Sequence, residues 1–142
     1  MSAQPNRPLP TTAPVVTPET ERFWAATAEG RLLLPRCTEC DALIWYPKGV
    51  CTECGSTDLE WIEASGRGEV YSYSTTWQAF GEYAQAVPYV VAYVELAEGP
   101  RVLTNIVGCE PSAIRIGDPV VAVFENTGEG NALVRFRLVF DR

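Results

Sequence analysis

Histidine is absent from the 142 residues of the chain. That removes Ser-His-Asp and Cys-His nucleophilic arrangements, imidazole metal ligands and the commonest general base together. Carboxylates, lysine or tyrosine could still serve an enzyme, but no spacing singles out such a set. Long apolar runs are also missing, so no segment reads as a membrane span. The N-terminus lacks the basic-then-apolar layout of an export signal, which makes the cytoplasm the expected location. Positive charge is scarce: 11 Lys and Arg stand against 18 Asp and Glu, a net charge of −7. The resulting field opposes phosphate backbones and anionic lipid, so neither nucleic acid nor a membrane is an expected partner.

What remains suits a normal core, with 46% hydrophobic and 20% charged residues. The length fits one globular domain with a small appendage. The clearest motif is Cys37-Thr38-Glu39-Cys40 followed, after Asp41 to Val50, by Cys51-Thr52-Glu53-Cys54. Two C-x-x-C turns can aim four thiolates at one ion in a tetrahedron, the geometry of a closed structural zinc site. Asp41 and Gly55 follow the two pairs, and both types tolerate the left-handed backbone such knuckles need. Two disulfides or neighbouring free thiols are the alternatives, and the expected reducing compartment favours Zn2+. Four protein ligands leave no open position, so the metal should fold the chain and not catalyse. Cys109 stands apart as a small apolar residue; a reactive thiol is the alternative, with no histidine to activate it.

Residues 1–16, with Pro5, Pro8, Pro10 and Pro14, read as a proline-rich arm, either a disordered tail or a strap that orders on a partner. A helix is expected over 17–30, capped by Thr17, with Pro18 at its first position and Gly30 at its stop. Phe23 and Trp24 on that helix point about 100° apart, so either both pack inside or one anchors a partner. Residues 31–65 form the ribbon, with strands at Arg31–Arg36 and Leu43–Pro47 and an alternating run at Leu59–Glu63.

From 66 to 142 the pattern has period two with turns between. Strands are expected at 68–77, 89–96, 101–107, 120–125 and 133–140. Tyr71, Tyr73, Thr75 and Trp77 are read as one face of the first. A helical turn is expected at 111–114, between the third and fourth strands. Five strands with that interruption predict a mainly β fold: N-terminal helix, four-cysteine zinc ribbon, then a five-stranded OB-fold barrel. The loop from Gln78 to Pro88 carries Phe80, Glu82 and Tyr83, and such loops commonly bind ligands in this fold.

These residues resemble a known family. Phe23-Trp24, Gly30-Arg31-Leu32, Arg36-Cys37-x-x-Cys40, Tyr46-Pro47 and Cys51-x-x-Cys54-Gly55-Ser56 are similar to its first half. Gly66-Arg67-Gly68-Glu69-Val70-Tyr71-Ser72-Tyr73, Pro88-Tyr89-Val90-Val91-Ala92, Glu95-Leu96 and Ile116-Gly117-Asp118-Pro119-Val120 continue it. The family is that of acyl-CoA-associated OB-fold proteins with a rubredoxin-like zinc ribbon, and the match runs from about residue 20 to 142. One departure is Trp77-Gln78, where relatives often carry a histidine. The resemblance implies a non-catalytic accessory subunit that binds a thiolase-fold enzyme, a thiolase or a retro-aldolase acting on acyl-CoA thioesters such as steroid side-chain CoA esters. A heterotetramer built on the enzyme's dimer and a hydratase as a further partner are implied with it. No hydratase is fused here, so the chain is expected to be a stand-alone form or an excised domain.

Three functions are open. For an acyl-CoA-handling scaffold, Arg31, Arg36, Lys48 and Arg67 are the candidate cations for CoA phosphates, with ordinary solvated charges as the alternative. Phe23, Trp24, Phe80 and Tyr83 are its candidate partner interface. The second function is a single-stranded nucleic-acid module, which aromatic strand faces would suit and the charge opposes. The third is a free-standing CoA-ester enzyme using Glu82 or Tyr83, supported by loop position alone.

Overall fold

A computed structural model describes residues 8–140; Pro5 of the arm falls outside the described residues. The elements in order are α1 (Glu21–Thr27), β1 (Leu32–Cys37), β2 (Leu59–Ala64), β3 (Arg67–Thr76), β4 (Tyr89–Leu96), β5 (Arg101–Val107), β6 (Pro119–Asn126) and β7 (Ala132–Leu138). Short 3-10 turns occupy Gly81–Tyr83 and Pro111–Ala113. Among the described residues no helix is long and apolar enough to cross a membrane.

The helix is shorter than the 17–30 expected. Its would-be first turn folds on itself: the Thr20 N–H donates to the Thr17 carbonyl and the Thr17 N–H to Thr20 Oγ1, both at 3.0 Å. Thr17 therefore bonds to Thr20 and does not cap α1, which begins at Glu21. The far end closes as expected at Gly30, with the Arg31 N–H donating to the Ala26 carbonyl at 3.0 Å.

The ribbon sheet pairs β1 with β2 antiparallel, from Leu32 opposite Ala64 to Cys37 opposite Leu59. The second ribbon strand expected at Leu43–Pro47 does not form; only an isolated bridge, Arg36 to Leu43, is present there. Its aromatics are used differently. Trp45 and Tyr46 turn toward α1 and pack edge-on to Phe23, with ring centroids 5.5 and 5.8 Å away. Edge-to-face packing on the buried Phe23 takes the place of a ladder here, and Leu59–Ala64 supplies the ladder instead.

Strands β3-β4-β5-β7-β6 close into a barrel. All neighbours are antiparallel except β5 and β7, which run parallel at Ile106–Phe136 and Val107–Arg137. This is the five-stranded OB arrangement, in which β3 bends to pair with both β4 and β6. A register shift between Val70 and Ser72 marks the bend. It turns Tyr73 and Thr75 opposite the buried Ala92 and Val90, so the even face expected for Tyr71 to Trp77 is interrupted. Gly68 sits at the closure: a Cβ there would lie 2.5 Å from the Glu95 carbonyl oxygen and 2.8 Å from Val94 Cγ1. Closure needs glycine at that point because the β4 backbone already fills the space.

One apolar cluster joins the parts. Leu32, Leu34 and Ala64 of the ribbon sheet pack with Phe23 and Trp24 of α1 and with barrel residues such as Val70, Val94 and Phe136. The knuckle end has only a small cluster of Cys37, Ile44 and Cys51. Thr27 fastens α1 to the barrel: it is 1% exposed, donates Oγ1–H to the Trp24 carbonyl at 2.6 Å and accepts the Ala132 N–H at 2.9 Å. The arm's described part orders against its own chain. Leu9 is buried, the Pro10 carbonyl accepts from Arg135 Nη2 at 2.7 Å, and Thr12 bonds to Glu82.

Candidate metal centre and docking surface

The four cysteine sulfurs all lie within 4.8 Å of one another. Cys37 Sγ is 3.6 Å from Cys54 Sγ, and Cys40 Sγ is 3.6 Å from Cys51 Sγ. A disulfide needs about 2.05 Å, whereas Zn–S bonds of about 2.3 Å in a tetrahedron put neighbouring sulfurs about 3.8 Å apart. The two knuckles repeat one geometry. The Asp41 N–H returns to the Cys37 carbonyl and the Gly55 N–H to the Cys51 carbonyl, both at 2.9 Å. Asp41 has φ 65° and Gly55 φ 80°, the left-handed positions read from the sequence.

The electrostatics also fit a cation. Backbone N–H groups of Cys54 and Glu53 aim at Cys51 Sγ and hold that thiol down to about 7. At Cys40 the Ala42 N–H pulls the same way, but the neighbouring Cys51 sulfur and burial prevail and push it up to about 12. Neighbouring thiols resist a second negative charge, and a divalent ion among them removes that conflict. Cys51 and Cys37 are buried and Cys40 and Cys54 face the surface, and the four sulfurs together form a cluster that could hold a metal ion. Cys109 is half-buried and its thiol is raised by burial, in keeping with an inert packing residue.

The candidate cations divide into two pairs. Arg31 is bound by Glu63 and Glu29, and Arg36 by Glu60 and Asp41, all in the ribbon or beside it. Lys48 and Arg67 are exposed and make no ion pair among the described residues. The four are not gathered into one patch by any shared contact.

The aromatics divide as well. Phe23 is 1% exposed and Trp24 9%, so both pack within the chain, and Trp24 Nε1 donates to Tyr46 Oη at 2.9 Å. They line a cleft of about 380 Å3 with Trp45 and Tyr46, faced across by Tyr83, Leu103 and Arg135. Tyr83 is half-buried against Tyr89. Phe80 is 87% and Trp77 71% exposed, the most exposed aromatic side chains among the described residues.

Arg135 gave no sign in the sequence. Alternation along β7 sets it opposite the core residues Phe136 and Leu138, on the barrel's outer face. It is nevertheless 3% exposed, ion-paired to Glu125 and bonded to the Pro10 carbonyl and to Tyr83 Oη at 3.2 Å.

A helix, a four-cysteine ribbon and a five-strand OB barrel on one shared core define the class: a zinc-ribbon OB-fold protein. Residues 24–60 match the model of the ChsH2 rubredoxin-like zinc ribbon domain, and residues 61–125 match that of the ChsH2 C-terminal OB-fold domain. The chain belongs to this ChsH2-type, DUF35 family. A DUF35 domain-containing scaffold protein of Methanothermobacter thermautotrophicus is 38% identical over 113 residues, covering 78% of this chain and 85% of that one. A probable enoyl-CoA hydratase alpha subunit of Thermomonospora curvata is 46% identical over 100 residues, 70% of this chain; the chain spans only 31% of that protein. The benzoylsuccinyl-CoA thiolase subunit BbsA of Geobacter metallireducens is 38% identical over 73 residues, 51% of this chain and 48% of that one. Among solved structures, a chain of the Ltp2-ChsH2(DUF35) aldolase superposes with a TM-score of 0.80 at 37% identity, covering 90% of this chain and all of that one.

Proposed function

We propose that this chain is a non-catalytic accessory subunit that binds and stabilises a thiolase-fold enzyme acting on acyl-CoA thioesters, with steroid side-chain CoA esters as one substrate class. The observation that carries the reading is the likeness, over 90% of the chain, to a chain of the Ltp2-ChsH2(DUF35) aldolase. The thiolase subunit and the scaffold proteins among the relatives support the same role. In this reading Zn2+ fills the four-sulfur site, offsets the small core of the knuckle end and leaves no open coordination position. A hydratase is a further partner, supported by the much longer hydratase subunit that this chain matches in part.

Where the CoA ester touches this subunit, Lys48 and Arg67 are the cations to hold its phosphates, since Arg31 and Arg36 already serve carboxylates of the chain. The nucleic-acid reading gains nothing from the strand face: Arg101 there is bound to Glu95 and lies 3.9 Å over the Tyr71 ring. The test is a tagged pull-down from the native host, with the recovered complex weighed and its components identified. A thiolase-fold enzyme in a two-plus-two complex is the expected result. Recovery of the chain alone, at native expression, overturns the accessory role.

A further inference from the structure

We propose that residues 8–16 of the N-terminal arm are a built-in strap, latched by Arg135, that holds the β3–β4 loop in one shape and so pre-forms the exposed aromatic tip at Trp77 and Phe80. The burial of Arg135 is anomalous. A guanidinium on the outer face of a barrel strand should be solvated, and burying it is costly unless every donor finds an acceptor. Arg135 is buried because two segments cover it, and both are tied to it. Its Nη2 reaches the Pro10 carbonyl at 2.7 Å and Tyr83 Oη at 3.2 Å, and its Nη1 holds Glu125 on the neighbouring strand.

The arm and the loop are also tied to each other by Thr12 and Glu82, and the arm is seated by the buried Leu9. Tyr83 and Tyr89, ring centroids 5.4 Å apart, fix the end of the loop to β4. Trp77 and Phe80, the most exposed aromatic side chains among the described residues, belong to this same loop. A large aromatic on a rigid base reaches a partner's pocket without paying for loop ordering. This rests on the accessory-subunit reading only for the identity of the partner; the latch itself is a property of the free chain.

The loop has its own reporters. The Ala84 N–H donates to the Gly81 carbonyl at 3.1 Å and the Ala86 N–H to the Tyr83 carbonyl at 3.0 Å. Hydrogen exchange of the metal-loaded full chain is compared with a variant lacking residues 1–12, and with the full-length variants Leu9→Ser and Tyr83→Phe. The expected result is exchange at Ala84 and Ala86 that is roughly tenfold faster without the arm, with β4 and β5 unchanged. The two point variants should shift the same amides in the same direction by less, and they decide the matter if the truncated chain does not fold. Unchanged loop exchange in the variants that fold overturns the latch. A full chain that recovers no thiolase-fold enzyme instead overturns the accessory role and leaves the exchange result standing.

Discussion

Thr27 is the place to test how the helix is held on the barrel. Its hydroxyl is the acceptor for the buried Ala132 N–H at the first residue of β7 and a donor to the Trp24 carbonyl. Thr27→Val keeps the shape and removes both bonds. The lost hydroxyl bond costs about 1 kcal/mol net, and the orphaned Ala132 N–H adds about 1–2 kcal/mol more. Together that is roughly 2–3 kcal/mol, or a Tm lower by about 6–12 °C for a domain of this size. Thr27→Ser is the control, since it keeps the hydroxyl and gives up one methyl, worth about 1 kcal/mol. Thermal melts of the metal-loaded protein should therefore order as wild type, then Ser, then Val. A Val variant as stable as the Ser variant would refute the claim that this hydrogen-bonded joint, and not apolar contact alone, docks α1.

Cys51→Ser should lower bound metal from one ion per chain to none by elemental analysis and abolish complex assembly; metal-free folding with normal assembly would sink the structural role. Gly68→Ala puts a methyl against the Glu95 carbonyl, so the barrel must shift at its closure, at a cost of about 1–3 kcal/mol read as a lower urea midpoint. An unchanged midpoint would show that β3 and β4 can part there freely. The double variant Lys48→Glu, Arg67→Glu should weaken acyl-CoA binding to the assembled complex, more so at low salt, with an unchanged melt of the free chain. Equal affinity at low salt would remove both residues from the CoA site.

Legibility in the sequence follows how local the deciding interaction is. The knuckles were readable because a C-x-x-C turn and the residue after it settle their own backbone, and Asp41 and Gly55 take the left-handed conformation expected of them. The barrel strands were readable because half-buried strands write their period directly into the chain. The partner of β1 was not readable. Leu43–Pro47 and Leu59–Ala64 offer similar apolar runs, and the choice is made by Phe23, which draws Trp45 and Tyr46 away from the sheet. Only the folded chain brings those three rings together.

Arg135 is the extreme of the same rule. Nothing within its strand marks it, since an arginine alternating with Val134 and Phe136 is what an exposed strand face looks like. Its cover comes from Pro10, 125 positions earlier, and from Tyr83, 52 positions earlier. The local signals at those two sites point elsewhere: prolines suggest an arm that stays open, and a loop tyrosine suggests a ligand contact. A buried guanidinium changes the meaning of both, because once the arm and the loop cover it, its donors must be met by groups those two segments bring. The described part of the arm is thus seated by Leu9 and tied to an arginine 125 positions away, a pairing that local patterning cannot register.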